Sequence, residues 1–517
     1  MSDLTTNSAG RAVPTQVNGR EAIPFKGVGS YIPQKNKAAP AIRSVAQYPS
    51  NGNKVVPSLI EALKWAGLRD GMTISSHHHF RDGDRTMHQV FVAAKELGVR
   101  DLVWYPSAAF PCHEPFIEYF KSGLLKRIEG SLNGALGRYA SQGNMNGLAV
   151  LRSHGGRYRA IQDGDVHIDI AIIAAPAADA FGNCSGTLGP TACGPLGFAL
   201  ADSQYADHVI AVTDHLIPFP CAPWDINGNN VDQVVVLNQI GDPSKIVSGT
   251  TQITRSPDKL LIAEYAARFV RESGIMKDGF SFQAGAGGTS LAFTIYLSEM
   301  MRESKTKARF IRGGSTKYLV QMLEEGLTDY ILDGQSFDLD GVRSLRDNPR
   351  HIATSPFTSY NYHGKGNFAS ILDCVVLGAT EIDVDFNANV VSHSDGYMLH
   401  GIGGWQDALF SPCTILAAPL FRDRVPVIRD RVTTLCGVGE LIDVIVTERG
   451  VAINPGRGDL IESLSGSSLP LRSIQELKEE AEEICGGAPT AARTSDQVIG
   501  VVEWVDGTIL DNVRQVK

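Results

Sequence analysis

Apolar, β-branched runs recur along the chain, with helical patterns between them. Candidate strands are His167–Ala174, His208–Thr213 and Val231–Gln239, then Glu381–Val391, Thr414–Pro419 and Asp443–Thr447. Continuous apolar runs of this length suit strands buried on both faces, as in parallel sheets. Helical patterns cover Ser58–Trp65, Lys259–Ser273, Ser290–Ser304, Lys317–Glu325 and Ile474–Ile484. Gly326 would end the fourth of these, and Ser473 with Glu476 forms a capping box for the fifth. The alternation predicts a layered α/β fold.

Two α/β domains are expected. Residues 1–50 are rich in Gly, Pro, Ser, Asn and Gln and read as an irregular N-terminal arm, mobile or laid across the body. The polar stretch Gly241–Pro257 marks a boundary, which divides the rest into 51–250 and 251–517. A short echo between Val209–Asp214 (VIAVTD) and Asp443–Glu448 (DVIVTE) suggests that the halves are related.

Composition narrows the function classes. A chain of 517 residues has room for two or three domains and sizeable cores. Net charge is -9 and no long basic stripe is present, which argues against nucleic-acid binding. No apolar run approaches the roughly 18 residues of a membrane span, and no secretory signal opens the chain, so a cytoplasmic location is expected. The eight cysteines are scattered without a Cys-x-x-Cys pair and read as buried thiols, not a disulfide framework.

Candidate chemistry concentrates in glycine-rich turns: Gln142–Gly147 followed by Ser153–Arg157, Gln283–Thr289 and His400–Trp405. Glycine permits close approach of backbone to ligand, and a helix starting after Gly287 and Gly288 would aim free N–H groups at an anion. None of these turns is a P-loop or a dinucleotide fingerprint. His77, His78 and His79, with Arg81, Asp82, Asp84 and Arg85, read as an anion-recognition loop, a solvated polar turn or a metal site. Adjacent histidines point different ways, which disfavours the metal. No G-x-S-x-G elbow is present, and Cys184 has no visible base. Glu381 is either a catalytic carboxylate or a strand-end charge.

The run Gly143-Asn-Met-Asn-Gly-Leu-Ala-Val-Leu-Arg-Ser-His-Gly-Gly-Arg157 strongly resembles the α subunit of bacterial citrate lyase. So does Ala192-Cys-Gly-Pro-Leu-Gly-Phe-Ala-Leu-Ala-Asp-Ser-Gln-Tyr-Ala206. The likeness runs from about residue 50 to the C-terminus. The second half, through Gln283–Gly288, Gly401–Gly404 and Val444–Gly450, resembles the wider CoA-transferase superfamily.

The resemblance implies two open α/β domains of the CoA-transferase type and a transferase that exchanges acetyl for citryl on a carrier thioester. It implies a phosphopantetheine thioester borne by an acyl carrier γ subunit, a β subunit that cleaves the citryl thioester, citrate and acetate as substrate and product, homo-oligomerisation, and no metal in this chain. Many CoA transferases use a glutamate nucleophile. The matching position falls near Gly313, where no glutamate stands, so direct attack by citrate through a mixed anhydride is implied. Gly401, Gly403, Gly404 and Glu381 are then catalytic candidates. Arg81, Arg85, His154 and Arg312 are candidates for citrate, and Gly285, Gly287, Gly288 and Gly143 for the thioester. Remaining alternatives are an acyl-CoA hydrolase or another carboxylate CoA-transferase, a non-catalytic scaffold subunit, and a metal hydrolase built on His77–His79.

Overall fold

Every residue of Ile170–Ala175 is buried, because this run is the central strand of a seven-stranded parallel sheet. The computed structural model describes residues 3–31, 51–247, 252–285, 287–361, 364 and 366–517. Residues 32–50 of the expected arm, 248–251 of the expected boundary and Ala286 in the second glycine-rich turn lie outside the described residues.

Two large sheets carry the fold. The first contains β1 (Val55–Val56), β2 (Thr73–Ser76), β3 (Leu102–Pro106), β4 (Leu125–Ile128), β5 (Ile170–Ala175), β6 (His208–Thr213) and β7 (Gln233–Val236). Their order is β1-β7-β6-β5-β2-β3-β4. The second contains β8 (Ser281–Ala284), β9 (Ala308–Ser315), β10 (Thr328–Ser336), β11 (His351–Ala353), β12 (Cys374–Leu377), β13 (Thr414–Ala417), β14 (Val444–Thr447) and β15 (Gly450–Ile453). Its order is β11-β10-β9-β8-β12-β13-β14-β15, parallel except for β14 with β15.

The first sheet places β1 at one edge, starts again in its middle at β2, winds to the far edge at β4, returns at β5 and winds back to β1, whereas the second begins in its middle at β8, winds to β11, returns at β12 and winds to β15. Strand order therefore reverses between β2 and β5 and again between β8 and β12. Ligands of open α/β sheets bind outside the carboxyl ends of strands at such reversals. By position β6 corresponds to β13, whereas the VIAVTD and DVIVTE echo pairs β6 with β14. The echo therefore reflects shared burial and not equivalent places in the two sheets.

The expected strand at Glu381–Val391 is instead two short strands, Glu381–Asp383 and Ala388–Asn389, paired antiparallel. The Asp383 carboxylate accepts the N–H groups of Asp385 (3.1 Å) and Asn387 (3.0 Å), which closes a turn between them. The helices fall where the periodicity puts them, at Leu59–Trp65, Pro257–Glu272, Gly288–Ser304, Lys317–Glu324 and Ile474–Cys485. Ser473 and Glu476 form the expected reciprocal cap.

The ends of the chain are tied to its middle. Strands Thr494–Glu503 and Ile509–Val516 form a hairpin whose first strand also pairs with Ala149–Leu151. The described part of the arm lies across this hairpin, where Asn7 donates to the carbonyls of Ile509 (2.9 Å) and Leu510 (2.7 Å). Among the described residues no helix is long and apolar enough to cross a membrane. All eight cysteines are free thiols.

Candidate functional site

The carboxyl ends of β8, β9, β10 and β12 meet around a cavity of about 220 Å³. Its polar lining is Gln283, Arg312, Gln335, Tyr360 and His154, and its other walls include Phe198, Phe337, Ile402 and Trp405. Gln283 on β8 and Arg312 on β9 are register partners. The Arg312 Nη1 donates to Gln283 Oε1 (2.5 Å) and to the Tyr360 hydroxyl (2.6 Å), and the guanidinium lies 4.2 Å from the Tyr360 ring centre. Its Nε is buried without a partner among the described residues. A fixed guanidinium with unspent N–H groups suits a carboxylate.

Gly313 opposes Asp333 while Gly314 opposes Gln335, so Gly334 is an extra residue on β10. Such a bulge re-aims the following side chain. Gln335 is buried and meets His78, whose Nε2 lies 3.1 Å from its Oε1.

His154 begins the helix His154–Asp163 at the end of a short strand. Its ring stacks on His78 at 5.2 Å and lies 4.4 Å from Phe198. Burial, with the nearby charges of Arg157 and Arg312, pushes its pKa down to about 3. Its imidazole is therefore neutral, not cationic, at neutral pH. Its amide donates to the Gly403 carbonyl (2.8 Å), which joins the His400–Trp405 loop to the helix start.

A second cavity of about 520 Å³ shares Gly285, Leu377, Ile402 and Trp405 with the first. Gly287 precedes the 17-residue helix Gly288–Ser304, and among the described residues no side chain caps that N-terminus. Gly285, Gly287, Gly288, Thr289 and Ser290 line the cavity, together with Lys259 and Arg422. Uncapped N–H groups and the positive end of a helix dipole favour an anion or a carbonyl oxygen there.

The family description of the citrate lyase alpha subunit (CitF) matches residues 52–516. The chain belongs to the citrate lyase alpha subunit family. It is 41% identical to the citrate lyase alpha chain of Klebsiella pneumoniae over 90% of this chain and 92% of that one. Identity to the Haemophilus influenzae alpha chain is 40%, over 93% and 96%. A Streptococcus mutans structure, assigned as the citrate lyase alpha subunit in complex with citrate, superposes with a TM-score of 0.94 at 40% identity. That match covers 99% of this chain and 100% of that one. A Pseudomonas malonate decarboxylase hetero-tetramer shares the fold at a TM-score of 0.61 and 18% identity, over 85% and 94%.

Within this member of the citrate lyase alpha subunit family, the structure gathers some of the residues singled out from sequence and separates others. His154, Arg312, Gly285 and Gly404 line the first cavity, and Gly287 and Gly288 the second. Gly401 and Gly403 line neither. A Cβ on Gly401 would stand 1.7 Å from Ser131 Oγ, and Gly403 adopts φ +63° beside His154. Arg81 lies behind Phe337, its guanidinium 4.5 Å from that ring, and burial lowers its pKa to about 10. Arg85 is exposed and bonds Gln239, so it does not reach the cavity. Gly143 turns against Gln515 on the C-terminal hairpin.

Glu381 is fully buried and anchors structure. It accepts bonds from Asn389 (2.9 Å), the Thr433 amide (2.7 Å) and the Thr433 hydroxyl (3.0 Å), and pairs with Arg429 at 2.6 Å. His77 accepts the Ala174 amide at 2.9 Å and contacts His79, and burial holds all three histidines of that run below their usual pKa. Tyr360, Gln335 and Phe198, which line the first cavity, were not singled out from sequence. Gln283 carried the one usable signal, a polar residue at a strand end beside a glycine-rich turn.

Proposed function

We propose that the two joined cavities are the citrate and thioester sites of the transferase step of citrate lyase. As a citrate lyase alpha subunit the chain is a transferase that replaces acetyl by citryl on an acyl carrier. The two sheets then correspond to two α/β domains of the CoA-transferase type. Citrate binds in the smaller cavity against Arg312, with Gln283, Gln335, Tyr360 and neutral His154 as further hydrogen-bond partners. The thioester arm of a carrier subunit enters the larger cavity, and its acyl carbonyl reaches the shared wall at Gly285. A lyase subunit then takes the citryl thioester.

The observation that carries this reading is the absence of a nucleophile. Among the described residues, no carboxylate and no cysteine lines the smaller cavity. Gly313 adopts φ +121°, which an L side chain rarely takes, so a glutamate at that position would be strained. A citrate carboxylate oxygen therefore attacks the acetyl carbonyl, the carrier thiolate leaves, and a mixed anhydride forms. The thiolate next attacks the citryl carbonyl and acetate departs. Both steps pass through a tetrahedral oxyanion, for which a preorganised N–H donor is worth roughly 10²–10³ in rate.

Single-turnover exchange with carboxylate-¹⁸O citrate tests the reading. Direct transfer places citrate ¹⁸O in the acetate of the first turnover, and hydroxylamine traps no enzyme thioester. Unlabelled first-turnover acetate, or a trapped adduct on any glutamate, overturns it.

A further inference from the structure

We propose that Asp407 is a positioning residue: it latches the His400–Trp405 loop of one half onto the helix start that carries His154 in the other. The inference rests on the cavity reading above. Asp407 lies in the short helix Trp405–Ala408, which Gly404 precedes. It is buried, yet its oxygens point across the junction: Oδ1 accepts from Ser153 Oγ (2.8 Å) and Oδ2 from the Gly155 amide (3.1 Å). Ser153 is the N-cap of the helix His154–Asp163, and its Oγ also accepts the Gly156 amide at 2.9 Å. The bond from the His154 amide to the Gly403 carbonyl closes the same contact. Gly155 has no room for a side chain here, since a Cβ would stand 2.5 Å from Asp407 Oδ1 and 2.6 Å from the Tyr360 carbonyl. The latch thus sits directly behind His154, Tyr360 and Gly404, all of which line the cavity.

Asp407 does not itself line the cavity among the described residues, so it does not touch the substrate. The geometry also does not need its charge. Burial pushes its carboxyl up to about 7, against the opposing effects of the Gly155 amide, Ser153 and Arg312. A neutral carboxyl, or an asparagine, accepts from Gly155 through one atom and donates to Ser153 Oγ through the other, so both bonds survive.

The test uses the full-length chain with citrate and acetyl-CoA, following citrate-dependent acetate release. Asp407→Ala is expected to lower kcat by about 10²-fold, with KM for citrate changed by less than about threefold, because misplacement of reacting groups costs rate more than binding. Asp407→Asn is expected to restore kcat to within about threefold of the parent, since it keeps the geometry. An Asp407→Ala enzyme with parental kcat, one altered only in KM, or an Asp407→Asn enzyme as impaired as Asp407→Ala overturns the proposal. If Asp407→Ala does not fold, Ser153→Ala removes one of the two bonds, and unchanged kcat in that variant overturns it equally. Arg312→Ala separates the two readings. Unaltered citrate affinity by calorimetry in that variant rejects the cavity assignment itself, whatever the Asp407 variants show.

Discussion

His78 and Gln335 exchange hydrogen bonds across the junction of the two sheets: the His78 Nε2 lies 3.1 Å from Gln335 Oε1, and the Gln335 amide donates to the His78 carbonyl at 3.1 Å. Ser107 completes the set at 2.6 Å from the His78 Nδ1. Replacing Gln335 by Leu leaves buried His78 groups unpaired, which costs about 1–3 kcal/mol. Urea unfolding should show that loss, and citrate turnover should fall with it. A variant of parental stability would mean that the pair contributes nothing.

Arg312→Lys keeps a positive charge but cannot bond Gln283 and Tyr360 together while presenting a planar fork to a carboxylate. A kcat/KM for citrate lowered by about 10²-fold is expected from the lost bidentate contact and its misplacement. Steady-state kinetics decide it, and a loss below threefold would make the site a simple charge trap.

Gly403→Val should block acyl exchange while the protein still folds. The residue adopts φ +63°, and its Cβ direction leads to His154 Nε2 at 3.8 Å. A branched side chain there is strained and pushes on the His154 ring. Undiminished citrate-dependent acetate release would remove this loop from the site.

Glu381→Gln should damage stability more than chemistry. The substitution leaves Arg429 with a buried charge and no carboxylate, and breaking a buried pair costs about 3–5 kcal/mol. A lowered melting temperature is expected, with the folded fraction retaining kcat. Parental stability with abolished turnover would restore Glu381 as a catalytic group.

Glu129 sets an acid limit on stability. Burial alone would raise its pKa, yet the guanidiniums of Arg152, Arg20 and Arg127 outweigh it and hold the carboxyl down at about 2. A folded-state pKa below the unfolded one stabilises above the unfolded value, and that stability is lost as pH falls through the folded value. The contribution is about 3 kcal/mol, present above pH of about 4.5 and gone below about 2. Urea unfolding of Glu129→Gln against the parent should show a gap at pH 7 that closes in acid. A gap independent of pH would assign the effect to packing.

How far the sequence carried depended on the range of the forces involved. The apolar run of Ile170–Ala175 and the cap of Ser473 with Glu476 are local features, so several buried strands, the main helices and the α/β class were legible from periodicity and capping, whereas the turn that splits Glu381–Val391 was not. The family was legible too, because Gly143–Arg157 and Ala192–Ala206 are long runs of specific residues. Glu381 could not be resolved, since its Arg429 partner is brought up only by the strand pairing of Ile382 with Ile428. Arg81 and Arg85 are near neighbours in sequence, but Arg81 packs beneath Phe337 while Arg85 turns outward to Gln239.

By itself, then, the sequence determined the main helices, several buried strands, the α/β class, the glycine-rich turns and the absence of a glutamate near Gly313. Tertiary structure decided which of those turns share a cavity. Gln283, Arg312, Gln335, Tyr360 and His154 come from five separate segments, and only the packing of the helix start at His154 against the strand ends of the second sheet brings them together. Tertiary structure also decided charge. A histidine reads as a cation in a string of residues, but burial beside Arg157 and Arg312 makes His154 neutral, because desolvation and like charge both oppose its proton.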